Sequence, residues 1–260
     1  ENEKSLISFG NYIQNYPYEI KCIFGGWAFD DSWWEKISEV IKRNIPENLI
    51  VEIKRYDKNY GKAHIINDLY ETVRTKFDFK YFLTADSDII FTIETPNLFP
   101  RLIDCAEGSV DIRGKPFGFI GLQQEQNGCH RLDLIWKNKY HIINRYDKEE
   151  ELVYPNISAG IAGGCLFIST DLWELIGGYK IRGVYAGDDA HLIHDTHQVG
   201  FSYQVSPEIS IIHPSSSDSD YSEHKHRWCR KGETHTPKTK KELEKVIKEL
   251  EQYWIKRNKE

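Results

Sequence analysis

The sequence predicts an α/β fold: a mostly parallel, Rossmann-like open sheet with helices on both faces, followed by a helical tail. Three observations predict it. Short apolar runs with strand character alternate with longer segments of helical period over the first 90 residues. Strands separated by helices pair in parallel through right-handed crossovers. The third apolar run ends in an acidic cluster, where ligands bind such sheets.

The elements follow in order. Lys4 to Gln14 carries Leu6, Ile7, Phe9, Tyr12 and Ile13 on a loose helical stripe. "YEIKCIF" (Tyr18 to Phe24) reads as a strand stopped by Gly25 and Gly26. Asp30 to Arg43 places Trp33, Trp34, Ile37, Val40 and Ile41 on one helical face, with Asp31 or Ser32 as cap. "LIVEIKRY" (Leu49 to Tyr56) is a second strand, His64 to Lys76 a second amphipathic helix, and "KYFLTADSD" (Lys80 to Asp88) a third strand. The stretch from Gly108 to Pro155 reads as loop, and a buried strand "GGCLFIS", a helix from Thr170 and a turn at Gly177-Gly178 follow. Near the end, Thr239 and Glu242 form a capping box ahead of an apolar stripe of Leu243, Val246, Ile247, Leu250 and Trp254. Residues 1–213 are expected to form one domain, and 214–260 a loop and amphipathic helix suited to oligomer contacts.

Composition narrows the class. With 260 residues, 40% apolar and 28% charged, the chain is an ordinary globular one. A net charge of −6 argues against a general nucleic-acid binder, which needs a surplus of Lys and Arg. No apolar run is long enough to span a bilayer, and none reads as a signal peptide. The five cysteines are scattered, with no C-x-x-C pair, which fits a reducing, cytoplasmic compartment better than a disulfide framework. The chain contains no methionine, and its start does not read as a natural N-terminus.

Four constellations carry chemistry. In "LTADSDIIF", strand alternation is expected to put Asp86 and Asp88 on one side of a strand end. Two carboxylates so close repel unless a cation or solvent intervenes, and Mg²⁺ or Mn²⁺ takes such oxygens together with substrate phosphates. A solvated acidic turn accounts for the pair equally well. In "NYGKAHIIND", Gly61 lets backbone approach a ligand, Lys62 offers a point charge for phosphate, and Asn67 follows one turn later. In "GVYAGDDAHLIHD", Asp188 and Asp189 stand at a helix start, as dipole partners or as a general base. In "ISIIHPSS", His213 ends an apolar strand, as a structural imidazole or a third metal ligand.

The order of these parts resembles the GT-A fold glycosyltransferases, especially the family 2 group. "NYGKAHIIN", "ADSD", "AGGCLFIS", "IGGY" and "AGDD" occur in the sequence order of that family's motifs, over roughly residues 4 to 213. The resemblance implies a transferase that moves a sugar from a nucleotide-sugar donor, a UDP-sugar, with Mn²⁺ or Mg²⁺ as cofactor. It implies Asp86 at the ribose and metal, Asp88 and His213 as metal ligands, and Lys62 near the nucleotide. Gly163 and Gly164 would lie under the donor sugar, and Asp189 would be the catalytic base, with Asp188 at the preceding acidic position. The family also opens with a strand that the start of this sequence lacks, and its base-binding aspartate has no counterpart in "FGGWAFDD". Trp27 would stack on the base or fill the core.

The downstream half is also similar to the retaining polypeptide N-acetylgalactosaminyltransferases, with their "AGG" strands and G-G-E-N motif. Because Asp189 offers a base, inversion is the expected outcome. The acceptor is not legible, and a glycan, a lipid-linked sugar or a protein side chain each fits. A same-fold nucleotidyltransferase would show a Gly-rich basic loop after its first strand, and none is present. A non-catalytic sugar- or protein-binding module would not need Asp86, Asp88, Asp189 and His213 together. His224, His226 and Cys229, with Cys129 or His130, match no standard zinc spacing.

Overall fold

A computed structural model of the chain describes residues 2–13, 19–27, 31–58, 60–91, 98–108, 115–125, 139–145, 148–153, 163–180 and 188–213. The C-terminal helix expected at Thr239 to Trp254, and the Cys/His cluster at 224–229 with Cys129 and His130, lie outside them. Six helices are described: α1 (Asn2–Ile13), α2 (Asp31–Asn44), α3 (Lys62–Arg74), α4 (Leu98–Gly108), α5 (Thr170–Ile176) and α6 (Asp188–Gln198). The strands are β1 (Cys22–Trp27), β2 (Ile50–Tyr56), β3 (Tyr81–Ala85), β4 (Phe117–Glu125), β5 (Lys139–Arg145), β6 (Lys148–Val153), β7 (Cys165–Ser169) and β8 (Ser202–Ile212). The described residues fall into two compact units, one from Glu1–Tyr12, Asp78–Gly178 and Asp189–Ser215, the other from Ile13–Phe77 and Tyr179–Asp188.

In the second of these units β1 and β2 pair in parallel, as their alternation with helices predicts. Gly25 and Gly26 do not end β1 but lie within it. A Cβ on Gly25 would come within 2.8 Å of a Leu69 methyl, so the glycine lets α3 settle closely on the strand. Val40, Ile41, Ile45, Tyr56, Ala63 and Tyr70 are buried in this unit.

The other unit is built on a six-stranded sheet in the order β3-β7-β4-β8-β6-β5. Its pairing corrects the expectation of a mostly parallel sheet. β4 and β8 are parallel, but β7 runs antiparallel to both β3 and β4, and β6 runs antiparallel to β5 and β8. The stretch read as loop between residues 108 and 155 supplies β4, β5 and β6. β7 is buried along its whole length, which explains its unbroken apolar run: both faces are covered, so nothing alternates. Ile120, Leu122, Cys165 and Phe167 pack with Ile89, Leu98, Leu102 and Ile211 in one cluster, with Phe9 and Tyr12 of α1 against it. Complete burial of each Leu, Ile or Phe contributes about 1.5–3 kcal/mol.

The helix from Thr170 and the turn at Gly177-Gly178 that the sequence predicts are both present, as α5 and its end. Ser169 caps it by accepting from Leu172 N–H, and Gly177 and Gly178 end it with φ of 72° and 73°. In that left-handed region glycine carries no steric cost. Pro207 sits where the β4–β8 register jumps, from Leu122 opposite Ser206 to Gln123 opposite Ser210, so a residue that cannot donate falls outside the ladder.

Gly118 is closely enclosed. A Cβ there would stand 2.3 Å from the Ser202 carbonyl oxygen, where β8 enters the sheet. Gly118→Ala is therefore expected to cost about 3 kcal/mol of stability, because the obstacle is backbone that cannot rotate away. Urea unfolding of the variant against wild type measures this, and equal midpoints would disprove the close approach.

Candidate metal and donor site

β3, β4 and β8 run in one direction and β7 against them, so the ends of β3 and β8 and the start of β7 share one sheet edge. That edge gathers the acidic pair, the glycine pair and His213. The last rung of the β3–β7 ladder pairs Ala85 with Cys165, and one step beyond it Asp86 N–H donates to Gly164 O at 2.8 Å. β3 ends there. Ile89 N–H closes a turn onto Asp86 O at 3.2 Å. The two carboxylates are thus brought together by a turn and not by strand alternation as expected. The chain then pairs with the end of β8: Ile90 and Ile212 exchange N–H···O bonds of 2.9 and 3.0 Å.

This exchange brings His213, the next residue, to the turn. Its Nε2 lies 3.4 Å from Asp88 Oδ1. One ligand atom from each of Asp86, Asp88 and His213 falls within 4.8 Å of the others, and all three side chains are half-buried. Two ligands at neighbouring positions of an octahedral Mg²⁺ or Mn²⁺, with bonds of about 2.1 Å, lie roughly 3 Å apart. Two hard carboxylate oxygens and an imidazole nitrogen suit such an ion, and their spacing needs only small side-chain adjustments.

Asp189 joins the same edge. As the second residue of α6, it accepts from Gly163 N–H through Oδ2 at 3.3 Å and from its neighbour Ala190 N–H through Oδ1 at 2.8 Å. Gly163 and Gly164 are buried beside it. A hydrogen-bonded path therefore runs from Asp86 through the glycine pair to Asp189. Asp188 is the first residue of α6, as expected, and only its backbone is described.

Gly61, Lys62 and Asn67 belong to the other compact unit. Gly61 precedes α3 with φ 83° and ψ 157°, a conformation essentially reserved for glycine, and Lys62 is the first helical residue. The Asn67 amide is committed to backbone: it donates to Tyr179 O and accepts from Tyr179 N–H, both at 2.9 Å. The Gly-Lys segment and Tyr179 are thereby joined.

Beside them lies a cluster that sequence reasoning missed. Asp68 accepts from Tyr56 OH and pairs with Lys54 Nζ at 2.6 Å, and Tyr60 stacks on His64 with centroids 4.8 Å apart. Burial alone would raise the Asp68 carboxyl, but the Lys54 and Tyr56 hydrogen bonds, with the charges of Lys54 and His64, hold it below its ordinary value. The available signal was Asp68 one residue after Asn67 on a helix whose partner strand alternates Lys54 and Tyr56.

No known protein family matches the sequence, and no curated protein does. Solved structures do match the fold. The chain superposes on the mannosyltransferase PcManGT from Pyrobaculum calidifontis, in complex with GDP-Man and Mn2+, with a TM-score of 0.54 at 14% identity, over 90% of this chain. It spans 59% of that structure's length. The likeness establishes a shared α/β fold. No helix among the described residues is long and apolar enough to cross a membrane.

The Asp68 cluster makes a pH-dependent contribution. A carboxyl held below its unfolded value of 3.8 stabilises the fold above that pH, and the contribution is lost as pH falls through the folded value. Asp68→Asn should therefore lower stability at pH 7, by less than about 1 kcal/mol for so exposed a pair, and the difference should shrink once the pH is taken below 3.8. Urea midpoints at pH 7 and in acid test this, and a difference that persists undiminished in acid would refute it.

Proposed function

We propose that this chain is a metal-dependent glycosyltransferase of the GT-A type that moves a sugar from a nucleotide-sugar donor to an acceptor hydroxyl. The observation that carries the reading is the convergence of Asp86, Asp88, His213, Gly163, Gly164 and Asp189 on one sheet edge. The order of sequence motifs and the fold shared with a mannosyltransferase support it. Residues 1–213 form the transferase domain in this reading, with 214–260 as an appended tail. The buried thiols Cys22, Cys105 and Cys165 suit a reducing cytoplasm, and burial pushes the Cys22 thiol up to about 12.

Asp86, Asp88 and His213 would hold the ion, which would supply positive charge against the leaving diphosphate. Gly163 and Gly164 give the donor sugar a side-chain-free floor. The family 2 resemblance assigns Lys62, at the start of α3 behind Gly61, to nucleotide binding, and Asn67 supports that segment by holding Tyr179. Asp189 takes the proton of the acceptor hydroxyl as its oxygen attacks the anomeric carbon opposite the leaving group, which inverts the configuration. Asp188, the first residue of α6, stands at the acidic position that precedes the base in the family 2 resemblance. A UDP-sugar is the donor that the family 2 resemblance favours. PcManGT was solved with GDP-Man, so both nucleotides belong in the first screen.

The test is a donor screen over UDP- and GDP-sugars that scores nucleoside diphosphate release with and without Mn²⁺. Asp88→Asn should weaken metal-dependent nucleotide binding roughly a hundredfold, at or beyond the loss caused by removing an outer hydrogen bond around a metal. Asp189→Asn should keep binding, because the amide oxygen still accepts from Gly163 N–H, and lose turnover by about 10²–10⁴. Absence of metal-dependent nucleotide binding in the wild type would sink the transferase reading. Normal turnover by Asp189→Asn would remove only the base assignment.

A further inference from the structure

The segment that leaves the acidic turn, Ile89 to Phe91, is held on both edges. On one edge Ile90 exchanges two hydrogen bonds with Ile212. In an extended segment the neighbouring backbone groups point the opposite way, so Ile89 C=O and Phe91 N–H face away from β8. Both residues are buried, at 0% and 7% exposure, and backbone groups in such a place need partners. Helix α1 supplies them with hydroxyls. The buried Ser5 hydroxyl donates to Ile89 O, and the Ser8 hydroxyl accepts from Phe91 N–H at 3.1 Å. Ser8 also donates to Ser5 O at 2.7 Å, which links the two grips. Ser5 and Ser8 stand one helical turn apart on the same face and do the work of a missing neighbouring strand. Phe91 is fixed further by Phe9 and Tyr12, at centroid distances of 5.2 and 6.3 Å.

The gripped segment carries the site. Asp88 precedes Ile89 directly, and His213 directly follows Ile212, the partner of Ile90. A slip of residues 89–91 would therefore move Asp88 relative to both Asp86 and His213. We propose that Ser5 and Ser8 are positioning residues of the metal site: their hydroxyls lock the exit of the Asp86–Asp88 turn so that the two carboxylates and His213 keep ligand spacing. The inference rests on reading Asp86, Asp88 and His213 as metal ligands, and it gives α1 a role in cation affinity beyond core packing. Neither serine is a ligand, so the effect passes through backbone placement alone.

The experiment is Mn²⁺ titration of the full chain, followed by the electron paramagnetic resonance signal of the bound ion. Ser5→Ala and the Ser5→Ala/Ser8→Ala pair should weaken Mn²⁺ binding roughly tenfold and broaden the bound signal, in the range lost when an outer hydrogen bond is removed from a metal site. Ser5→Thr, which keeps the hydroxyl, should restore both. Ile176→Val is the control: a mild core truncation on α5 that lowers the melting temperature and should leave Mn²⁺ affinity unchanged. If the serine variants are folded and bind Mn²⁺ as wild type does, with the same signal, the proposal is wrong. It is equally wrong if Ile176→Val weakens binding as much, because the effect is then general stability. Where Ser5→Ala does not fold, Ser8→Ala carries the same comparison. A wild type that takes up no Mn²⁺ overturns the metal reading itself, an outcome separate from serine variants that match a wild type that does bind.

Discussion

β3 and β7 run past each other in opposite directions, and the bond just beyond their ladder, from Asp86 N–H to Gly164 O, sets the place of everything at the sheet edge. It brings the turn with both carboxylates against the glycine pair. It also fixes Gly163, whose N–H is then available to Asp189. β7 can act as this reference because it is buried on both faces and paired on both edges. A strand in the middle of a close-packed sheet moves little, so groups at its end inherit its precision.

Two further contacts complete the edge. The Ile90–Ile212 bridge turns the end of β8 towards the acidic turn, which is how a residue more than a hundred positions away becomes the third member of the Asp86, Asp88 and His213 group. The α1 serines close the other edge of the same segment. The acidic turn is therefore braced by strands and a helix, although it is itself irregular backbone. Two like charges need such bracing, because their repulsion would otherwise spread the turn.

Much of this was legible in the sequence, for reasons particular to each element. An apolar strand that runs into Asp-Ser-Asp announces charge at a strand end, and "GGCLFIS" announces a strand too buried to alternate. A start at Thr170 and a turn at Gly177-Gly178 mark the limits of α5 because helix ends are local chemistry, settled within a turn of the chain. β4, β5 and β6 were not legible, since their segment mixes glycines and charges with apolar residues and offers no clean period. Ser5 and Ser8 were invisible for a different reason. A hydroxyl on a weakly amphipathic helix reads as ordinary polar surface until the backbone it bonds to is known.

By itself the sequence determined which residue types stand at the ends of which elements: carboxylates after β3, glycines before β7, a carboxylate at the start of α6 and a histidine after β8. Those are short-range facts, written in hydrophobic period, caps and turn residues. The tertiary structure alone decided that β7 runs against its neighbours, that a turn and not strand alternation unites Asp86 with Asp88, and that Asn67 holds Tyr179. Strand direction and partner choice depend on contacts between residues far apart in the chain. No local pattern encodes them, because the energy that selects them arises only when the whole core closes.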